Sequence, residues 1–358
     1  MNLLVTGGCG FIGSHFIEKW LARPGAASGD RLINLDLLTY AGNPANVTAV
    51  ADDERHVFVQ GDIGDEPLVA GLLAQHQVDA IVHFAAESHV DRSIDSPAPF
   101  VRTNVVGTES LLSAARRHCA TPARAQTFRF LHVSTDEVFG DLRADTPPAT
   151  ETSPYAPRSP YAASKAAADH LVRAYGHTYG LPVLLTYCCN NYGPRQFPEK
   201  LIPLAIHRAL TGGEIPVYGD GLHVREWLHV HDHVDALLRV LHEGRPGQSY
   251  AISSRESCAN LELLQLLCRL LDRKRPLAAG RSYAEQLVPV ADRPGHDRRY
   301  ALDPSRMGAE LGWRASHGLA AGLDSTVDWY LTNPEWTQKV MAHRYGGERL
   351  GTGKISLR

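Results

Sequence analysis

The sequence lacks the features that mark membrane-spanning, secreted or nucleic-acid-binding proteins. No uninterrupted apolar run approaches the roughly 18 residues that a membrane span needs. The first residues, MNLLVTGG, place no basic region ahead of a long apolar stretch, so we expect no signal peptide. Runs of lysine and arginine are missing and the formal net charge is −3, so we expect no nucleic-acid partner.

Cysteine is also scarce. The six cysteines form no C-x-x-C pair and no dense framework, which argues against a disulfide scaffold. We therefore expect reduced thiols and a cytoplasmic location. What the chain has in quantity is length and apolar content: 358 residues, 44% of them hydrophobic, suffice for one large α/β unit or two intimate domains.

Short apolar runs of strand length alternate with segments whose apolar residues recur at three and four, as in DEPLVAGLLAQH (65–76). This alternation predicts a parallel sheet with helices on both faces. The predicted strands are LLVTG (3–7), LINLD (32–36), HVFVQGD (56–62), AIVHFAA (80–86), FRFLHVST (128–135) and LPVLLTYCCN (181–190).

A glycine-rich turn, TGGCGFIG, lies between the first predicted strand and the first predicted helix. Gly7 allows the tight turn, Gly10 lets the backbone approach a pyrophosphate, and Gly13 lets the helix pack on the sheet. Free N–H groups at the helix start favour the anion. Asp36 ends the next strand, where it can accept from ribose hydroxyls and would repel a 2′-phosphate. These residues predict an NAD site, although a glycine turn needed only for packing is the alternative.

The composition of the chain changes after residue 190, where glycine and proline become frequent. We predict a Rossmann-type doubly wound parallel sheet with a smaller C-terminal α/β substrate-binding lobe. The predicted division is 1–190 for the NAD-binding domain, to which 223–248 return, 191–222 and 249–340 for the lobe, and 341–358 for a C-terminal tail.

A predicted helix in SPYAASKAAADHLVRAY carries Tyr161 and Lys165 on one face, four residues apart. An ammonium beside a phenol lowers the pKa of the phenol, so we expect the Tyr161 phenolate to act as a base near neutral pH. A surface pair on an ordinary helix is the alternative.

The strand FRFLHV runs into STDEVFG, which places the carboxyl groups of Asp136 and Glu137 side by side at a strand end. Neighbouring carboxyls repel each other when both are ionised, so their pKa values separate. One can then hold a proton while the other is a base. A solvated strand end is the alternative.

Together, TGGCGFIG, Asp36, Ser134, Thr135 and YAASK resemble the extended short-chain dehydrogenase/reductases. From residue 1 to about 336 the chain is similar to the dTDP-glucose 4,6-dehydratases within that group. The similar segments are DLLTYAGN, HFAAESHVDRSI, STDEVFGD, CCNNYGPRQFPEKLIP, VREW and ADRPGHDRRYALD. The Thr-Asp-Glu triplet is what separates these hydro-lyases from sugar-nucleotide epimerases, which lack the acid pair, and from decarboxylases, which share only the glutamate.

The resemblance implies a reaction in three stages on dTDP-glucose. Tyr161 takes the proton of the 4-hydroxyl while hydride leaves C4 for NAD, and Thr135 hydrogen-bonds the 4-oxygen. Glu137 then removes the C5 proton and Asp136 protonates the C6 hydroxyl, which leaves as water. Hydride returns to C6, giving the 4-keto-6-deoxy sugar. Lys165 would bind the nicotinamide ribose and tune Tyr161.

The resemblance also implies the remaining contacts. The expected cofactor-binding residues are Gly7, Gly10, Phe11, Ile12, Gly13, Asp36, Leu37, Leu38, Thr39, Asp62, Ile63, Ala85, Ala86, Ser88, Thr103, Tyr161, Lys165 and Asn191. The expected substrate-binding residues are Ser88, Thr135, Asn190, Lys200, Leu201, Pro216, Tyr218, Arg225, Asn260, Arg293 and His296. Arginine suits the diphosphate because its planar fork matches phosphate oxygens.

Three residues depart from the family's pattern. Phe139 stands where tyrosine is usual, Tyr187 replaces a common asparagine, and Arg195 replaces a frequent tyrosine. We expect Phe139 to lose only a hydroxyl contact, whereas Tyr187 and Arg195 should lie near the substrate loop and bear on its specificity.

The segment LHVHDHV places His229, His231 and His233 at alternating positions beside Asp232. On a strand they would share one face and could bind a metal. The segment falls where the family has a strand running into a helix without a metal, so we expect none.

Two helices, 102–117 and 161–178, have small-residue faces and match the family's dimer bundle, which predicts a homodimer. Three alternatives remain open: a 4,6-dehydratase for a UDP-sugar, a 4-epimerase or decarboxylase of the same fold, and a non-catalytic NAD-binding regulatory protein. Regulatory proteins of this kind tend to lose the Tyr/Lys pair, which is present here.

Overall fold

The computed structural model describes residues 1–23, 29–344 and 350–351. The predicted C-terminal tail begins inside the last helix, and its residues 345–349 and 352–358 lie outside the described residues. Within the described ranges, no helix is both long and apolar enough to cross a membrane.

A seven-stranded parallel sheet forms the centre of the molecule, in the order β3-β2-β1-β4-β5-β6-β10. Helices cover both faces, as in doubly wound nucleotide-binding folds, and the predicted α/β fold is confirmed. The strands are β1 Asn2–Thr6, β2 Arg31–Asp36, β3 His56–Gln60, β4 Ala80–His83, β5 Arg129–Thr135, β6 Val183–Cys188, β7 Asn190–Tyr192, β8 Ile215–Tyr218, β9 Val224–His229, β10 Ser249–Ile252, β11 Ser257–Ala259 and β12 Leu287–Val290.

The helices are mostly those that the apolar spacing predicts, with ends set by caps such as the Ser159 side chain, which accepts from the Ala162 N–H at the start of the long helix α7. A π-helical turn, Val101–Gly107, joins α4 to α5. The helices are α1 Phe11–Leu21, α2 Glu66–Gln75, α3 Val90–Asp95, α4 Ala98–Phe100, α5 Thr108–His118, α6 Pro122–Thr127, α7 Pro160–Tyr179, α8 Leu201–Leu210, α9 Val230–Glu243, α10 Asn260–Lys274, α11 Ser305–Leu311, α12 Leu319–Thr332 and α13 Pro334–Arg344.

The strand register brings the carboxyl ends of the central strands together at one edge of the sheet. Thr6 at the end of β1 pairs with His83 of β4, and Thr135 at the end of β5 pairs with Cys188 of β6. The strands are buried on both faces and therefore almost wholly apolar until these last residues. Polar side chains that follow them converge at this edge, where open α/β sheets bind ligands.

A second apolar core lies under the C-terminal lobe, between α8, α10 and α12. Two small sheets accompany this core, one with the strand order β11-β9-β7 and one formed by β12 and β8. One predicted boundary is corrected: β10 follows residue 248 but pairs with β6 in the main sheet. Its sequence SYAI is fully buried, and extending the main sheet buries both of its faces.

Candidate active site

The glycine turn after β1 has the shape that a phosphate-binding loop requires. Gly7 has φ of +71°, and a Cβ there would lie 2.7 Å from the backbone nitrogen of Ala85. A Cβ on Gly13 would lie 2.4 Å from the carbonyl oxygen of Gly7, so only glycine lets α1 start this close to the loop. The loop therefore leaves the amino end of α1 open to an anion.

Asp36 closes the rim of this loop. Its carboxylate accepts hydrogen bonds from the backbone N–H groups of Cys9 at 2.9 Å and Leu38 at 2.8 Å. The carboxylate is thus fixed at the carboxyl end of β2, beside the glycine loop. A loop that fits a pyrophosphate and a fixed acid that fits ribose hydroxyls are what a dinucleotide needs.

Both features line a cavity of about 310 Å³ at the carboxyl edge of the sheet. Every predicted cofactor residue except Leu38 lines it: Gly7, Gly10, Phe11, Ile12, Gly13, Asp36, Leu37, Thr39, Asp62, Ile63, Ala85, Ala86, Ser88, Thr103, Tyr161, Lys165 and Asn191. Leu38 is not in its wall. It has φ of +57°, and its backbone N–H holds Asp36 instead.

The end of β5 delivers three chemically active side chains to the same cavity. Thr135 ends the strand, and its hydroxyl donates to Asp136 Oδ1 and accepts from the Glu137 N–H, both at 3.2 Å. The chain then turns into a 3₁₀ helix at Asp136, which aims consecutive carboxyls inward. Tyr161 and Lys165, on α7, complete this group in the cavity wall.

The two neighbouring carboxyls differ in their surroundings. Asp136 is 3% exposed, and burial followed by the Glu137 charge raises its pKa well above the ordinary value. Burial also raises the pKa of Glu137, but Arg293, Arg225 and Lys200 oppose this by favouring the carboxylate. The arrangement thus favours a proton on Asp136 and a negative charge on Glu137.

One predicted effect is wrong. The pKa of Tyr161 is not lowered. The Lys165 ammonium donates to the Val133 carbonyl at 2.9 Å and approaches His132 at 3.5 Å. The pKa of Tyr161 is raised well above its ordinary value by burial and by the Glu137 carboxylate.

A buried polar network beside Lys165 was not predicted from the sequence. Asp169 lies 3.2 Å from His132 and accepts from Ser134 at 2.7 Å and from Tyr155 at 3.0 Å. Asp169 is one helical turn beyond Lys165, so extending the spacing of four from the Tyr/Lys pair would have found it. Its charge favours the protonated form of Lys165, against the burial that lowers the pKa of that amine.

A second cavity of about 360 Å³ adjoins the first and shares Glu137, Asn190, Glu199 and Lys200 with it. Nine of the predicted substrate residues line it: Asn190, Lys200, Leu201, Pro216, Tyr218, Arg225, Asn260, Arg293 and His296. The other two, Ser88 and Thr135, line the first cavity. The sequence analysis did not identify Glu199, which lies in the segment FPEK. Its buried carboxylate accepts hydrogen bonds from Tyr40 at 2.9 Å and from Arg92 at 2.8 Å.

Two arginines give the second cavity a cationic wall. The Arg225 guanidinium is 4% exposed and donates to the carbonyls of Val224 and Asp297, both at 2.8 Å. The Arg293 guanidinium donates to Asp91 at 2.5 Å. Guanidinium groups held in place by such bonds suit the oxygens of a diphosphate.

The three departures from the family's pattern have different places. Phe139 packs edge-on against the Tyr187 ring at 4.8 Å, and the Tyr187 hydroxyl bonds Tyr155 at 2.6 Å and also accepts from Arg173. Tyr187 lines neither described cavity, so its predicted place near the substrate is corrected. Arg195 does line the first cavity, and its guanidinium makes a bidentate pair with the Glu18 carboxylate at 2.6 and 2.7 Å.

The three alternating histidines do not share a face. His229 ends β9, while His231 and His233 lie in the first turn of α9, where a spacing of two separates their directions. The His233 Nδ1 atom lies 2.9 Å from Asn191 Oδ1.

The fold and the site define an extended short-chain dehydrogenase/reductase. Residues 4–326 match the family model described as GDP-mannose 4,6 dehydratase. The chain is 54% identical to a dTDP-glucose 4,6-dehydratase of Xanthomonas campestris pv. campestris, covering 97% of this chain and 98% of that one. A dTDP-glucose 4,6-dehydratase of Escherichia coli is 48% identical, over 96% and 97% of the two chains. The chain belongs to the dTDP-glucose 4,6-dehydratase family.

Solved structures agree with this placement. The crystal structure of DesIV, a dTDP-glucose 4,6-dehydratase from Streptomyces venezuelae with NAD and TYD bound, has a TM-score of 0.86 and is 49% identical, over 95% of this chain and 100% of that one. A UDP-glucose 4-epimerase of Thermotoga maritima has a TM-score of 0.81 but is 28% identical, over 93% and 100% of the two chains. The fold is shared with epimerases, whereas the sequence is closer to the dehydratases.

Proposed function

We propose that this chain is an NAD-dependent hydro-lyase that converts dTDP-glucose to dTDP-4-keto-6-deoxyglucose. The observation that carries the proposal is the position of the acid pair. Glu137 lies in the wall of both a cavity that fits a dinucleotide and one with a cationic wall that fits a nucleotide diphosphate, and Asp136 beside it lines the first. A sugar whose diphosphate reaches Arg225 and Arg293 would present its ring to both carboxyls.

The residues that would hold NAD are those of the first cavity. The loop from Gly7 to Gly13 would take the pyrophosphate, and Asp36 would accept from the adenosine ribose. Lys165 would donate to the nicotinamide ribose. Bound NAD supplies an acceptor, and later a donor, for one hydride, and its positively charged ring favours the phenolate form of Tyr161.

The chain's own residues would then move three protons. Tyr161 takes the 4-hydroxyl proton as C4 becomes a ketone, and Thr135 donates to the 4-oxygen. The ketone acidifies the hydrogen on C5, which Glu137 removes as a base. Asp136, which keeps its proton because it is buried beside Glu137, gives that proton to the C6 hydroxyl, and water leaves. When hydride returns to C6, Glu137 gives back to C5 the proton that it removed, which completes the 4-keto-6-deoxy sugar.

The substrate contacts that we propose follow the wall of the second cavity. Arg225 and Arg293 would bind the diphosphate, and Asn190 and Lys200, shared by both cavities, would contact the sugar. Ser88 would do so from the first cavity. The other contacts to the nucleotide would come from Leu201, Pro216, Tyr218, Asn260 and His296.

The experiment compares dTDP-glucose with UDP-glucose as substrates, with added NAD. The proposal expects the alkali-dependent absorbance of a 4-keto-6-deoxy sugar, with faster turnover of the dTDP compound. Formation of dTDP-galactose would identify a 4-epimerase. In a parallel assay with a nucleotide-linked uronic acid, loss of carbon dioxide would identify a decarboxylase. Binding of NAD without turnover of either sugar would support a regulatory protein.

We also propose a homodimer formed by the stretch from the π-helical turn through α5 together with α7. Val101 and Val106 are 52% and 54% exposed in the single chain, and Tyr179 at the end of α7 is 49% exposed. Burial of such apolar side chains favours association. Light scattering after size exclusion should give twice the chain mass of 39.2 kDa, and Val106→Asp should shift it toward the monomer. The cytoplasmic location stays a proposal, which cell fractionation tests.

A further inference from the structure

Three histidines from separate elements meet outside both cavities. His229 ends β9, His231 lies in the first turn of α9, and His317 precedes α12. One ring nitrogen from each lies within 4.8 Å of the other two. We propose that these three imidazoles form a binding site for a divalent transition metal of the zinc or nickel type, for which imidazole is a preferred ligand.

The buried member of the group has an unsatisfied ring nitrogen. His229 is 3% exposed, and its Nδ1 accepts from the His231 N–H over a long 3.3 Å. In that tautomer Nε2 carries the ring proton, and Nε2 has no hydrogen-bond partner among the described residues. A metal ion at Nε2 requires the proton to move to Nδ1, which gives up the long bond from the His231 N–H and satisfies the buried nitrogen.

His317 is held as metal-binding histidines usually are. Its Nδ1 lies 2.8 Å from the carboxylate of Asp232, which also accepts from the backbone N–H groups of Ser316 and His317 at 3.0 and 2.9 Å. A carboxylate on one ring nitrogen fixes the tautomer and makes the other nitrogen a better ligand. Asp232 is 2% exposed and cannot easily turn away.

The exposed rings must rotate to bring the three nitrogens to one ion, because the His229 and His317 rings are stacked with 24° between their planes. The ring centres of His229 and His317 are 4.4 Å apart, and those of His229 and His231 are 4.9 Å apart. Two nitrogens on a tetrahedral ion bound at about 2.0–2.1 Å lie about 3.3 Å from each other. His231 is exposed and the His317 side chain is 38% exposed, so both are able to rotate.

The nearest cations are engaged with acids: Lys19 pairs with Asp235, and Arg195 with Glu18.

Two nearby groups are not counted as ligands. The His15 ring lies 5.1 Å from that of His231, but its Nδ1 accepts from Arg195 at 2.6 Å. A second group of possible ligands, His223, Asp292 and His296, includes a residue of the substrate cavity, so a test must separate the two groups.

The experiment titrates tag-free protein with Zn²⁺ by calorimetry, and with Co²⁺ by its visible absorption, in the absence of any sugar nucleotide. The test variant is His231→Gln with His317→Gln. The matched control is His177→Gln with His242→Gln, which also removes two exposed histidines but lies outside both groups. We expect one equivalent of metal to bind the wild type and the control, with at least about tenfold weaker binding in the test variant.

Thermal unfolding gives a second measurement. Zn²⁺ should raise the Tm of the wild type, because it would tie the start of α9 to the chain before α12, and a chelator should reverse the rise. The test variant should keep wild-type turnover of dTDP-glucose, which shows that it folds. Equal Zn²⁺ affinity in wild type and test variant, or a wild type that binds no Co²⁺, would overturn the proposal.

Discussion

The two cavities of the active site are built from different materials. The first contains a phosphate loop from one contiguous stretch, Gly7 to Gly13, which is shaped by its backbone and its glycines. The second is lined by long charged side chains from scattered segments, among them Lys200, Arg225 and Arg293. Glu137 lies in the wall of both.

The two cavities would therefore bind their ligands differently, the first through the shape of its loop and the second through the charge of its wall. A loop held open by missing Cβ atoms binds through backbone N–H groups, so added volume should damage it. A cationic wall binds through charge and hydrogen bonds, so loss of charge should damage it while volume matters less. In the proposed mechanism the chemistry occurs where the two cavities meet, and substitutions can test each cavity separately.

The largest effect should follow from neutralising either member of the acid pair, of which Glu137 lines both cavities and Asp136 the first. Glu137→Gln or Asp136→Asn removes a base or an acid, so we expect dehydration of dTDP-glucose to fall by about 10² to 10⁴. Product formation measured by alkaline absorbance checks this. Both variants should bind NAD as the wild type does, measured by fluorescence quenching, because the first cavity keeps its loop. Wild-type dehydration in both variants would remove the basis of the mechanism.

The next largest effect should come from the cationic wall. Arg293→Gln removes a charged hydrogen-bond donor worth about 1.5–3 kcal/mol, so kcat/KM for the sugar nucleotide should fall by about 10- to 100-fold. Arg298→Gln is the matched control, because the Arg298 side chain is 48% exposed and pairs with Asp220 outside the cavity. Steady-state kinetics at saturating NAD measures both. A similar loss in the two variants would point to general electrostatics.

The same variant should move the pH profile. Glu137 must be ionised, so activity falls in acid, and Asp136 must be protonated, so activity falls in alkali. Arg293 is the strongest of the charges that oppose the raised pKa of Glu137. Its removal should therefore raise that pKa and shift the acidic limb to higher pH, whereas Arg298→Gln should not.

Much of the first cavity could be predicted from sequence because its parts are local. The strand, the glycine turn and the helix follow one another, and Asp36 ends the very next strand. The boundary at residue 249 failed for the opposite reason. β10 joins the main sheet through pairing with β6, more than 60 residues earlier, and no local pattern reports that partner.

The second cavity could be predicted only through resemblance. Asn190, Arg225 and His296 have no common spacing, and each taken alone fits a surface or loop position. The direction of the Tyr161 pKa shift was mispredicted. The spacing of four between Tyr161 and Lys165 shows that they share a helix face, but it does not show the direction of the Lys165 ammonium. Lys165 reaches across to the Val133 carbonyl of β5, a contact that needs the packed structure.

A smaller effect should follow from added volume in the first cavity. Gly13→Ala places a Cβ 2.4 Å from the Gly7 carbonyl oxygen, so the loop must shift, and we expect NAD affinity to fall by about tenfold, equivalent to about 1.4 kcal/mol. Gly71→Ala is the matched control, because Gly71 is also helical and has no heavy atom within 4 Å of its added Cβ among the described residues. Fluorescence titration with NAD compares them, and equal affinities would mean that the loop tolerates volume.

The smallest effect should come from a substitution at Tyr187, which tests whether this side chain affects stability or substrate specificity. Tyr187→Phe removes a hydroxyl that bonds Tyr155 and Arg173, so the free energy of unfolding should fall by about 1 kcal/mol. The KM for dTDP-glucose should stay the same, because the 0% exposed ring lies outside both cavity walls. Urea denaturation and steady-state kinetics measure the two quantities. An altered KM with unchanged stability would instead place position 187 within reach of the sugar.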